Sequence, residues 1–148
     1  MRGLPGSGKS TEARILAGQH IADGGRSVAV LSTDDYHMID GKYVFQPEKL
    51  GEYHMMNQEH AVELMDSWVE LVVIDNTNIK RRDMKPYINA GERNGYDIEQ
   101  RIIGEEYLVP AEEMTQQLVD GYIKLCAKRN THGVPLEAIS RMARNFQK

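Results

Sequence analysis

The sequence is short of the features that mark several large protein classes. It has one cysteine, Cys126, in 148 residues, so no disulfide can form within it. Cys126 falls in an apolar stretch of an expected helix and reads as core rather than nucleophile. No apolar run approaches the roughly 20 residues that cross a bilayer. No charged-then-apolar segment of the secretory kind opens the sequence. The expectation is a reducing, cytoplasmic setting (the host cytoplasm if a phage encodes it) with no membrane partner. A basic excess is also missing. The net charge of −4 argues against a general nucleic-acid binder. Repeats, low-complexity stretches and linkers are absent, so one domain over residues 1–148 is expected.

What is present is an ordinary globular composition, 41% hydrophobic and 27% charged. The charge is unevenly spread. Residues 1–75 carry 6 Lys/Arg against 12 Asp/Glu, and residues 76–148 carry 12 against 10. The last 25 residues hold six basic side chains and only Glu137 as an acid. That stretch suits either a solvated helical face or a positive lid over phosphate-rich substrates.

Apolar periodicity alternates between helical and strand-like runs. Helices are expected from Gly8 to Gly24-Gly25, from about Glu48 to Glu70, from about Arg81 to Arg93, from Ala111 to Arg129 and from Leu136 to Phe146. Strands are expected at 27–32, 71–75 and 97–103, with a loop or short hairpin at 40–45. The nearly all-apolar run at 71–75 reads as a strand buried on both faces, which points to a parallel sheet. The order implies an α/β fold with that sheet between helices. Tyr53, Met55 and Met56 are expected to pack, although they could also stack on a base or meet a partner.

The most specific stretch is Gly3-Leu4-Pro5-Gly6-Ser7-Gly8-Lys9-Ser10, followed by Thr11. It matches G-x-x-x-x-G-K-[ST] at every fixed position. Backbone N–H groups of such a loop curl around a β-phosphate, and the next helix points its positive end at the same anion. Lys9 is expected to reach the β- and γ-oxygens of ATP, and the Ser10 hydroxyl to ligate Mg²⁺. Only Met1 and Arg2 precede Gly3, so the strand that should carry the loop is expected to be a stub unless residues lie upstream.

Such a loop needs a second carboxylate to orient the metal, at the tip of a neighbouring apolar strand. Asp75 ends the run at 71–75, and Asn76-Thr77-Asn78 follow where ligands of open α/β sheets sit. Asp34 and Asp35 lie at the end of the preceding strand. Either could be the general base that takes a proton from an acceptor hydroxyl, or could simply cap a turn. Arg129 closes one helix, Gly133-Val134-Pro135 turns the chain, and Arg141 lies on the next helix. An arginine brought over the phosphates would stabilise the transferring group.

Taken together, GLPGSGKST, STDDY, VIDNTN and KRNTHGVPLEAISRM resemble the P-loop polynucleotide-kinase family over essentially the whole chain. That group includes the kinase domain of phage polynucleotide kinase and related AAA-type ATP-binding proteins. The resemblance implies a three-layer P-loop kinase fold with a C-terminal helical lid. It also implies ATP·Mg²⁺-dependent phosphorylation of a hydroxyl on DNA or RNA, a 5′-hydroxyl end first among acceptors. By the same resemblance, Asp34 is the general base and Arg129 the lid arginine. Asp35, Asn76, Thr77, Asn78 and Arg141 then lie on the acceptor side. The chain departs from the phage pattern at Asn76, where that enzyme has aspartate. It also has Thr33 in place of a flanking arginine, and His132 and Gly133 in place of a second lid arginine. Other readings are a DNA base kinase acting on 5-hydroxymethylpyrimidine, a small-metabolite kinase of zeta-toxin type, and a non-catalytic ATP-binding switch. The sequence does not address oligomeric state.

Overall fold

Two parallel strands form the centre of the computed structural model, which describes residues 1–108 and 115–147. β1 (Val28–Leu31) and β4 (Leu71–Ile74) pair in register from Val28↔Leu71 to Leu31↔Ile74. Both are short and rich in β-branched side chains, which suits strands covered by other elements. Helix α1 (Lys9–Ala22) packs on both strands, and α2 (Leu50–Asp66) packs on both and on α3 (Arg81–Arg93). The fold is the expected α/β arrangement, a small parallel sheet flanked by helices.

A third line of chain joins the sheet at a single residue. Arg2 makes one parallel bridge to Ile102. Its N–H donates to the Arg101 carbonyl at 2.8 Å, and the Ile103 N–H donates to the Arg2 carbonyl at 2.9 Å. On the other side, the Met1 amino group donates to the Ile74 carbonyl at 2.8 Å and the Gly3 N–H to the Thr77 carbonyl at 3.1 Å. The expected stub therefore lies between the end of β4 and residues 101–103.

The strand expected over 97–103 does not form; only Ile102 is bridged. Three isoleucines permit a strand here, but pairing requires a neighbouring backbone. Among the described residues none is bridged to 97–100. Those residues instead line a cavity of about 250 Å³, together with Leu71 and Val73 of β4.

Other boundaries move by a few residues. The helix expected from Glu48 to Glu70 is a 3₁₀ turn at Pro47–Lys49 followed by α2, and Trp68 at φ 59° takes the chain out of the helix. The short hairpin is real: β2 (Met38–Ile39) pairs antiparallel with β3 (Lys42–Tyr43). Asp40 and Gly41 both have positive φ in its two-residue turn, as such hairpins demand. Helix α4 (Glu105–Leu108) follows, and α5 (Gln116–Arg129) begins later than Ala111 among the described residues. Ala111–Met114 lie outside them. The last helix, α6 (Leu136–Arg144), stops short of Phe146.

Two clusters hold these parts together. Leu4, Ile79, Leu108, Ile123, Cys126 and Ile139 join the glycine loop to α5 and α6. Leu31, Ala61, Met65, Tyr87 and Ala90 join the sheet to α2 and α3. Cys126 is 1% exposed, a core residue as expected. Tyr53 packs on Tyr36 and His37, whereas Met55 and Met56 are exposed, contrary to expectation. Arg2 is a buried cation. Its guanidinium donates to the carbonyls of Asn78, Ile79 and Gln147 and lies 4.5 Å from the Phe146 ring centroid. Among the described residues no helix is long and apolar enough to cross a membrane.

Candidate nucleotide and acceptor site

The glycine loop is held by its second residue. Leu4 is fully buried, and its carbonyl accepts from the Ser7 N–H at 3.1 Å. Gly8 caps α1 in the left-handed region at φ 104°, and its carbonyl accepts from Thr11 and Glu12. Gly6 also has positive φ, 78°, and passes beneath the end of α5. A Cβ there would lie 2.1 Å from the Cys126 carbonyl oxygen and 2.7 Å from the Asn130 nitrogen. Pro5 and Ser7 are half-buried, while Ser10 and Thr11 are exposed on the first turn of α1.

Lys9 is buried, and its ammonium donates to the Leu4 carbonyl at 2.9 Å. Burial lowers its pKa from the usual lysine value, and the charges of Asp75 and then Asp34 oppose that shift. Both candidate carboxylates thus act on one lysine from the ends of two adjacent strands.

Asp75 continues β4, where its N–H donates to the Leu31 carbonyl at 2.8 Å. It is 6% exposed, and its Oδ1 is buried without a hydrogen-bond partner. A buried, unpartnered carboxylate oxygen is costly unless a cation meets it. With the Ser10 hydroxyl in the first turn of α1, this all-oxygen donor set fits a hard divalent ion such as Mg²⁺, whose other ligands are usually phosphates and water.

The residues after Asp75 are largely engaged with protein. Asn76 Oδ1 accepts from the Thr33 N–H at 2.9 Å, and its Nδ2 lies 3.4 Å from the Tyr87 hydroxyl. The Thr77 carbonyl accepts from Gly3. Asn78, at φ 44°, donates from Nδ2 to the Met1 carbonyl at 2.9 Å. The Asn76 and Asn78 side chains and the Thr77 carbonyl hold the stub and the end of β1, which fixes the glycine loop and the Asp34 turn relative to β4.

Asp34 and Asp35 open a 3₁₀ turn, Thr33–His37, capped by the Ser32 hydroxyl. Asp34 is half exposed. The Tyr43 hydroxyl donates to its Oδ1 at 3.2 Å, and His132 Nδ1 lies 3.2 Å from its Oδ2. The rings of Tyr43 and His132 stack 4.0 Å apart at 14°. Partial burial, and then the Asp34 charge, push up the Asp35 carboxyl pKa; the same two causes push up the Tyr43 hydroxyl. No role was expected for Tyr43 or His132 from the sequence. The signal available was the aromatic residue nine positions after Asp34 in the hairpin and the histidine in the RNTHGVP turn.

Arg129 is exposed in the last turn of α5, next to the Asn130 nitrogen that overlies Gly6. It is therefore close to the glycine loop. Arg141 is exposed on α6 and, among the described residues, is not drawn into contact with Asp34 or Asn76. Among the described residues no three His, Cys, Asp or Glu side chains converge as a metal cluster.

A family model described as AAA domain matches residues 1–148. Human NEDD4-binding protein 2 is 36% identical over 148 residues, all of this chain and 7% of that protein. YLP motif-containing protein 1 of Rattus norvegicus is 26% identical over 166 residues, covering 99% of this chain and 11% of its own length. The 2′,3′-cyclic-nucleotide 3′-phosphodiesterase of Pongo abelii is 30% identical over 98 residues, 66% of this chain and 22% of that protein. The chain thus spans less than a quarter of the length of each of these relatives.

Proposed function

The chain belongs to the AAA domain family, and from that premise we propose that it is a P-loop phosphotransferase that moves the γ-phosphoryl of ATP to a hydroxyl on nucleic acid. The observation that carries the reading is a pair of carboxylates at the tips of two adjacent strands: Asp75, buried with an unpartnered oxygen, and Asp34, half exposed, tied together by the bond from the Thr33 N–H to Asn76 Oδ1. An ATP-binding switch needs the first. A hydroxyl kinase needs both, because the acceptor must be held and deprotonated beside the γ-phosphate.

In this reading the backbone of residues 3–10 cradles the phosphates and Lys9 leaves the Leu4 carbonyl to meet them. Ser10 and Asp75 would hold Mg²⁺, which would neutralise charge on the phosphate oxygens. Asp34 would accept the proton of the acceptor hydroxyl as its oxygen attacks the γ-phosphorus, while the bond from that phosphorus to the β–γ bridging oxygen breaks and ADP leaves. Arg129 offsets charge on the transferring group. Asp35 and Arg141 face the acceptor strand, while Asn76, Thr77 and Asn78 align the two carboxylates.

The test uses γ-labelled ATP with three acceptors: a 5′-hydroxyl oligonucleotide, an end-blocked duplex containing 5-hydroxymethyluracil, and free nucleosides. Label on the oligonucleotide supports a polynucleotide 5′-hydroxyl kinase. Label on the blocked duplex makes it a base kinase, and label on nucleosides a small-metabolite kinase. If nothing is labelled, and Asp34→Asn leaves ATP turnover unchanged, the kinase reading fails in favour of a switch.

A further inference from the structure

We propose that His132 is a positioning residue for the acceptor step, coupling the seating of the 129–134 loop to the alignment of Asp34. This rests on the kinase reading above.

The geometry begins with the loop. Asn130 fastens it at both ends: its Nδ2 donates to the Ala127 carbonyl at 2.7 Å and the Val134 carbonyl at 3.3 Å. The Val134 N–H returns to Asn130 Oδ1 at 2.8 Å. Arg129 and His132 therefore ride on one small, internally bonded unit. Its arginine end sits by the glycine loop, where the Asn130 nitrogen overlies Gly6. Its histidine end reaches Asp34.

The contact at Asp34 is two-sided. Tyr43 donates to Oδ1 from the hairpin, and the imidazole meets Oδ2 from the loop. The imidazole Nδ1 stands within ion-pair distance of Oδ2, and the carboxylate charge favours the ring form that carries a hydrogen on that nitrogen. The ring stack then fixes the imidazole plane against Tyr43. A carboxylate with a hydroxyl donor on one oxygen and an imidazole within ion-pair range of the other is restricted in its orientation. Without the loop, Asp34 would keep one side-chain anchor, Tyr43. The other charged or titratable groups acting near this carboxylate are Lys9, Asp35 and His54.

The choice of variants follows from the donor position. Asparagine places an amide N–H close to where Nδ1–H stands, while alanine removes the donor and the stack. His132→Ala and Tyr43→Leu should each lower kcat for phosphotransfer about tenfold, leaving KM for ATP within about twofold. The double variant should be little worse than either, because the two rings act as a unit. His132→Asn should recover most of the lost kcat. ATP affinity by calorimetry should be the same in all four.

An additive double variant, no recovery in His132→Asn, or a KM for ATP that rises in step with the kcat loss overturns the inference and assigns His132 a packing role. Full transfer in every variant overturns the inference and leaves the kinase reading standing. No transfer by the unaltered protein to any acceptor overturns the kinase reading, and the inference with it.

Discussion

The side-chain oxygen of Asn76 accepts a hydrogen bond from the backbone N–H of Thr33 at 2.9 Å, across the tips of two parallel strands. That bond sets where the Asp34 turn begins relative to Asp75, and both groups in it are buried. Asn76→Ala leaves the Thr33 N–H without its partner. The expected cost is about 1–3 kcal/mol in chemical denaturation, together with a lower kcat at unchanged KM for ATP.

Gly6→Ala should be far more damaging to nucleotide binding than to folding. The new methyl would meet the Cys126 carbonyl at 2.1 Å, at a backbone angle of φ 78°. The loop and the end of α5 must separate, and ATP affinity should fall at least about tenfold in a titration calorimeter. Gly95→Ala is the control. It has a comparable φ of 76° but nothing within 4 Å of the added carbon, so it should cost about 1 kcal/mol of stability and no affinity.

Lys9→Met should stabilise the fold by about 1 kcal/mol while abolishing ATP binding. Burial depresses the Lys9 pKa in the folded state below the ordinary value of 10.5. Between those two values the unfolded chain binds more protons, so the unaltered protein gains stability as pH rises through that window. The variant lacks that gain. Its advantage in thermal denaturation should therefore be full below the folded-state pKa and shrink as pH approaches 10.5.

Arg129→Ala should separate catalysis from stability. The side chain is exposed at a helix end, so its loss should change stability by no more than about 0.5 kcal/mol. Phosphotransfer should fall by about 10²–10³-fold if the guanidinium meets the transferring group. Measuring transfer and melting temperature on one preparation separates the two effects.

What was legible in the sequence was whatever short-range chemistry fixes. The glycine loop, α3 from Arg81 to Arg93 and the strand at Leu71–Ile74 stand where pattern and composition put them. Pairing was not legible, because it depends on which backbone lies alongside. Residues 97–103 carry isoleucines that suit a strand, but among the described residues Ile102 alone of them is bridged. The double use of asparagines was hidden for a related reason. Asn76 and Asn78 sit where ligand-binding groups belong, yet their amides serve Thr33 and Met1. The Tyr43–His132 stack joins residues from a hairpin and from a turn near the other end of the sequence. No window of local periodicity contains both.

Arg2 has a consequence for how the molecule opens. One buried guanidinium holds the carbonyls of Asn78, Ile79 and Gln147, and the Gln147 N–H donates back to the Ile79 carbonyl at 2.9 Å. Segments following a last helix ordinarily fray, and their amides exchange with solvent in the fastest class. Here the Gln147 amide can exchange only when the Arg2 knot is undone. Undoing it also frees the carbonyls just beyond Asp75 and the residue that leads into the glycine loop. The segment after α6 and the glycine loop therefore belong to one cooperative unit, and nucleotide binding should slow hydrogen exchange at Gln147, which lies outside the glycine loop.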